Sequence, residues 1–454
     1  MTGMHKRLPQ SRHGWVVAAY LIVALTLGGG GSPSAAAEIL VQLGFVACLL
    51  AWFFWAGPCG KPVRPVLWLA LLVVAVPLLQ LLPLPPTLWR ALPGRDLVTA
   101  SLDIAGAANT WRPLSVAPSA TLASLLALIP VAGTILATAT LGHGDRRALL
   151  LLIGLLAILG AALGVVQMAG GPGAFRLYEI SHDHWLTAFH ASRNSAADVL
   201  LIGSLALTAW FASASGRRPV FKGDLGLLLL FQAFLLVALV LTGSRAGITL
   251  LAPVLLIQFV MLRTAGMARQ LSNGMAVLGG FVAMIAGGAF LLSGNSRVDA
   301  VLARFDTSRD FRAELWQDTL TAIGHFWPLG SGMGTFPRAF LPFERAEVLD
   351  DLFPNRAHND FLEFALETGV LAPLIIVAVT WIIIALARKA WHRRPEERPV
   401  TLFALGIFMV IGLHSIVDYP LRNMALASIA GVAVGLLGAQ SRKPGDDRRM
   451  DVQG

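Results

Sequence analysis

The chain has 454 residues, of which 56% are hydrophobic and 13% charged, and a net charge of +9. Soluble domains carry about a quarter charged residues, so this composition excludes a string of soluble domains and calls for a largely membrane-embedded bundle. The positive excess lies in short clusters between apolar stretches, which reads as membrane orientation rather than a nucleic-acid surface.

Apolar stretches of about 17 to 24 residues predict an all-α integral membrane protein of about twelve transmembrane helices. They fall near 14–30, 36–57, 66–83, 118–141, 148–168, 195–214, 223–242, 246–263, 275–293, 366–388, 400–417 and 424–439. The first also has signal-peptide features, namely Lys6, Arg7 and Arg12, an apolar run, then small residues before Glu38; cleavage there is the alternative to a retained helix. Cys48 and Cys59 fall in or beside the second span and suggest neither a disulfide framework nor a metal site. Every second connection is basic: Lys61 and Arg64; Arg146 and Arg147; Arg217, Arg218 and Lys222; Arg263 and Arg269; Arg388, Lys389, Arg393 and Arg394; then Arg442, Lys443, Arg448 and Arg449. The positive-inside bias puts these connections and both termini in the cytoplasm. The expected organisation is nine spans over 1–293, a large outer loop with short helices over 294–365, three spans over 366–440 and a cytoplasmic tail at 441–454.

The outer connections include a Pro- and Trp-bearing loop at 84–117, whose Trp89 and Trp111 are expected at the lipid interface. Basic residues on this side run against the topological bias. They are Arg90, Arg95, Arg112, Arg176, Arg193, Arg245, Arg297, Arg304, Arg309, Arg312, Arg338, Arg345, Arg356 and Arg422, with no lysine among them. One explanation is the scarcity of lysine throughout the chain. The other is that a guanidinium fork suits bidentate phosphate contact. Arg245 sits in the turn Thr242-Gly243-Ser244-Arg245-Ala246-Gly247 between two apolar helices, either snorkelling to headgroups or meeting a lipid-linked phosphate at a helix start. Arg193 and Asn194 occupy a similar place at the mouth of the sixth span.

The longest polar interval ends in Asn355-Arg356-Ala357-His358-Asn359-Asp360-Phe361-Leu362-Glu363. A helix starting at Asn359 aligns Asp360, Glu363 and Glu367 along one side. His358 is either a cap or a general base, since imidazole has the unperturbed pKa suited to deprotonating a hydroxyl near neutral pH. His182 and His184 have a His-x-His spacing, but no residue set completes a metal site, and none is expected. Arg312 to about Ile323 reads as an amphipathic helix with Leu315, Trp316, Leu320 and Ile323 on its apolar face. The run Gly330-Ser331-Gly332-Met333-Gly334 is either a tight connection or an anion-binding turn. His414 and Asp418 are spaced to share a helix face and, with Arg422, either orient the site or pair with each other.

Together these stretches resemble the O-antigen ligase and polymerase superfamily of bacterial envelope enzymes, over roughly residues 185–425. The resemblance rests on Phe189 to Ala197, Leu241 to Gly247, Arg312-x-x-Leu315-Trp316, Gly330 to Phe336, Ala357-His358-Asn359-Asp360-x-Leu362 with Glu367-x-Gly369, and His414 to Arg422. The turn here has Ser-Arg-Ala-Gly where many relatives show two glycines. The resemblance implies a GT-C-like fold in the bacterial inner membrane with its site facing the periplasm. It implies an inverting, metal-independent transfer, without cofactor, of a glycan from undecaprenyl pyrophosphate to lipid A–core or a growing polysaccharide. It implies that Arg245, Arg193 and Arg356 bind the pyrophosphate and His358 activates the acceptor hydroxyl, supported by Asn194, Ser244, Arg312, Asn359, Asp360, Asp418 and Arg422. Alternatives are O-linked transfer onto protein and a non-enzymatic lipid-linked glycan transporter. A flippase should line a charged path through the membrane, whereas the spans here are nearly charge-free at mid-depth.

Overall fold

The computed structural model describes residues 8–31, 35–57, 59–215, 222–266, 311–348 and 353–440. Its first half runs α1 (Arg12–Leu27), α2 (Ala35–Ala51, continued by a π-helical turn at Trp52–Ala56), α3 (Arg64–Gln80), α4 (Pro86–Trp89), α5 (Asp96–Ile104), α6 (Pro118–Ala139), α7 (His143–Gly170), α8 (Arg193–Ser215), α9 (Lys222–Leu241) and α10 (Arg245–Thr264). The second half holds α11 (Arg312–Phe326), α12 (Phe336–Phe340), α13 (Asp360–Thr368), α14 (Leu371–Trp391), α15 (Arg398–His414) and α16 (Met424–Gly438). Two short strands, β1 (Pro83–Leu84) and β2 (Arg112–Pro113), pair antiparallel and close the loop between α3 and α6.

Seven helices among the described residues are long and apolar enough to cross a membrane, and four shorter apolar helices accompany them. Each coincides with a predicted span. The predicted ninth span, 275–293, lies outside the described residues, as do Arg297, Arg304 and Arg309. The predicted tenth span starts late, at Leu371, because α13 is a separate helix ended by Gly369 at φ 57°. That conformation costs glycine nothing and disfavours any side chain.

α8 is the axis of the bundle, with residues 196–209 all buried. It packs on α7, α9, α10 and α15. Against α7 the approach depends on small residues: a Cβ at Gly203 would lie 2.1 Å from the Ala157 Cβ. In lipid, such close backbone contact replaces the hydrophobic drive available in water. A buried polar knot joins α8, α9 and α10, where Gln232 donates to the Ser204 carbonyl (3.0 Å) and Gln258 to the Ser204 hydroxyl (2.7 Å). Helix α1 is part of the core, with Leu21, Ala24 and Leu25 fully enclosed. α2 and α14 lie at the periphery.

At the end of the bundle carrying the basic connections, some charges do more than set topology. Arg146 is buried and forks onto Glu397 (both bonds 3.3 Å), while Arg393 donates to the closing carbonyls of α16 at Leu436 and Leu437. At the opposite end, Trp89 is buried with its indole N–H on the Thr110 carbonyl (3.0 Å), not at an interface. Trp111 is exposed. The predicted apolar face of α11 is shifted: Leu315, Thr319, Ala322 and Phe326 are buried, whereas Leu320 is exposed. The buried set forms a small second core with Phe336, Phe340, Ala357 and Leu366.

Candidate active site

The starts of α8 and α10 and the end of α15 meet at one end of the bundle, below α11 and α13. Ser244 caps α10 by accepting from the Gly247 N–H (3.2 Å), and its hydroxyl donates to the Asn194 side-chain carbonyl (2.9 Å). Asn194, second residue of α8, turns its amide to Asp418 Oδ2 (2.7 Å). Asp418 Oδ1 in turn meets His358 Nδ1 at 3.2 Å. Four residues far apart in the chain thus form one continuous polar line, Ser244–Asn194–Asp418–His358. Gly243 makes the turn possible, with φ 61° and a Trp185 ring 2.3 Å from where a Cβ would stand.

His358 has a left-handed backbone, φ 48°, a conformation uncommon outside glycine and found where surrounding structure imposes it. Its ring is edge-on to Phe311 and Tyr419, at 5.4 and 5.0 Å between centroids. The side chain is 24% exposed, so the ring is held on one side and accessible on the other. Burial alone would raise the Asp418 carboxyl; the hydrogen bond from His358, the His414 and His358 charges and the Asn194 amide bring it down to about 2. An ionised carboxylate on Nδ1 fixes the tautomer whose Nε2 carries the accepting lone pair.

Asn359 caps α13, accepting from Phe361 and Leu362 N–H groups (both 3.0 Å), so the helix predicted to begin there does so. Its three aligned carboxylates converge on Arg422: Nε lies 3.6 Å from Asp360 and 3.4 Å from Glu363, and Nη2 lies 2.7 Å from Glu367. Burial pushes the Asp360 carboxyl up to about 7, with Arg422 opposing and Glu363 adding to it. The predicted association of Arg422 with His414 and Asp418 is therefore replaced by a clamp on α13. Arg356, expected at a phosphate, donates to Glu363 (2.7 Å), whose ionisation the two guanidiniums favour against burial.

The glycine run is a tight connection. Gly334 N–H donates to Glu367 Oε1 (2.7 Å), Met333 N–H to Gln80 (2.8 Å) and Gly332 N–H to the Glu367 carbonyl (2.9 Å). Its anion is an internal carboxylate. Other arginines of the connections expected outside also serve the scaffold: Arg95 donates to the Pro93 and Gly330 carbonyls, Arg176 to Trp185 and Thr187, and Arg345 to Asp318.

Arg193 and Arg245 stand at helix starts. They are the first residues of α8 and α10, whose capped ends are joined by the Ser244–Asn194 bond, and so they stand side by side at two positive helix termini. Arg193 is buried with its guanidinium over the Trp185 ring, 5.1 Å from the centroid. Arg312, at the start of α11, is close enough for its charge to reach His414. Asp198, one turn into α8 and 2.6 Å from His414 Nδ1, was not anticipated. An acid inside a predicted span is itself a functional signal, and that one was readable.

Residues 229–377 match the family model Wzy_C, described as O-antigen ligase. The match covers 149 of the 454 residues. The matched stretch includes α10 and parts of α9 and α14, three of the helices apolar enough to be candidate or shorter membrane-type helices. No curated protein matches it significantly. The matched stretch holds Ser244, Arg245, Arg312, Arg356, His358, Asn359 and Asp360; Arg193, Asn194, Asp418 and Arg422 come from the flanks.

Proposed function

We propose that the chain is an inner-membrane glycosyltransferase of the ligase or polymerase type, moving a glycan from undecaprenyl pyrophosphate to an acceptor hydroxyl at the periplasmic face. The observation that carries this reading is the His358–Asp418 pair held beside the arginine-bearing starts of α8 and α10. His358 Nε2 takes the acceptor proton as the hydroxyl oxygen attacks the anomeric carbon. The bond from that carbon to the pyrophosphate oxygen breaks with inversion, and the leaving lipid pyrophosphate keeps the electron pair. Arg245, Arg193 and the two helix termini offset the charge that develops there, an effect worth about 3–4 kcal/mol per well-placed donor. Arg356 is assigned instead to ordering the His358 loop through Glu363.

The test is His358→Ala expressed in a strain lacking the native gene, with membrane accumulation checked and surface glycans resolved by size. The expected result is normal accumulation and loss of transfer, with free polymer building up for a ligase or single repeats for a polymerase. Full activity in His358→Ala would remove the base from the scheme.

A further inference from the structure

Behind the His358–Asp418 pair lies a second imidazole–carboxylate pair that the chemistry above leaves unused. His414, last residue of α15, is 1% exposed. Its Nδ1 lies 2.6 Å from Asp198 Oδ1 on α8, and its Nε2 lies 4.0 Å from Asp418 Oδ2. Carboxylate and imidazole therefore alternate along Asp198, His414, Asp418 and His358. His414 Nε2 and Asp198 Oδ2 are buried without a hydrogen-bond partner, which costs stability that ordinary packing does not require. The charges facing the His414 ring are Asp198 from α8, Asp418 from the turn beyond α15 and, opposing them, Arg312 from α11.

We propose that Asp198 and His414 are positioning residues that keep an imidazolium behind Asp418 and so govern how tightly His358 holds its proton. The proposal rests on reading His358 as the base. Burial opposes a charge on this ring, whereas carboxylates facing both of its nitrogens favour the doubly protonated form. That positive charge offsets Asp418 from the far side. Asp418 then orients the His358 ring without locking it as an imidazolium, which could accept no proton. Removing either residue removes the offset, and Asp418 then holds the His358 proton more tightly.

The experiment follows carbethoxylation of His358 by diethyl pyrocarbonate, which modifies neutral imidazole. It uses the full-length protein in detergent, with the His358 peptide quantified by mass spectrometry from pH 5 to 9. Native protein is compared with Asp198→Asn and His414→Gln, and glycan transfer is measured across the same range. In both variants the modification midpoint should rise by about one pH unit, with the acid limb of the transfer rate moving alongside and activity recovering at high pH. Should one variant fail to accumulate, the other carries the measurement. Midpoints that coincide with the native one, or move down, overturn the relay, as does a rate lowered equally at every pH. The two readings fail separately: an active His358→Ala removes the base whatever the midpoints do, whereas an inactive His358→Ala with fixed midpoints removes only the relay.

Discussion

A histidine with a left-handed backbone, braced by a carboxylate at Nδ1 and by two aromatic edges, has few rotational choices left. That constraint is the residue-scale basis of the proposed chemistry. Arg245 offers the sharpest contrast of charge with shape: Arg245→Lys keeps the cation at the α10 start but loses the planar fork. Donor use should fall by at least about tenfold, measured as transfer against donor concentration; unchanged kinetics would exclude bidentate phosphate contact. Asp418 gives a pH signature. Its folded pKa of about 2 lies below the usual unfolded value of about 3.9. Its contribution is therefore complete above about pH 4 and is lost as the pH falls toward 2, roughly 2–3 kcal/mol in all. Thermal melts in detergent should show an acid-side decline in the native protein that is smaller in Asp418→Asn.

At the scale of elements, the sequence carried the apolar spans and the start of α13 because those depend on local pattern: run length for a span, an Asn before an acidic turn for a cap. It could not carry which partner each arginine finds. Arg422 was grouped with its neighbours His414 and Asp418, yet it reaches three carboxylates on α13 that lie more than fifty residues earlier. The apolar face of α11 leaves Leu320 out because its core is built from α12, Ala357 and Leu366 of α13, not from the membrane bundle. Arg422→Ala should strand three buried acids and lower stability by about 3–5 kcal/mol, seen as reduced accumulation and a lower melting temperature. Asp360→Asn combined with it should recover part of the loss. At the α7–α8 crossing, Gly203→Val has no room against Ala157 and should cost about 1–3 kcal/mol by the same melts.

For the whole molecule, the candidate site belongs to no single contiguous segment. The stretch matched by the family model brings His358 and Arg245, while α8 and the α15–α16 turn bring Asn194 and Asp418, which link them. The alternation of basic connections was legible because it repeats along the chain, and the folded protein keeps the basic cluster of Arg146 and Arg393 at the opposite end from His358. The proposed orientation has a direct check: reporter fusions near residue 345 should be active only outside the cytoplasm and those near residue 393 only inside it. A reversed pattern would put the site on the wrong face.

The amide of Asp360, two positions beyond His358, is fastened to the carbonyls of both Ser415 and Asp418. The segment bearing the imidazole and the turn bearing its carboxylate are consequently one mechanical piece. The ring and its carboxylate therefore shift together or not at all.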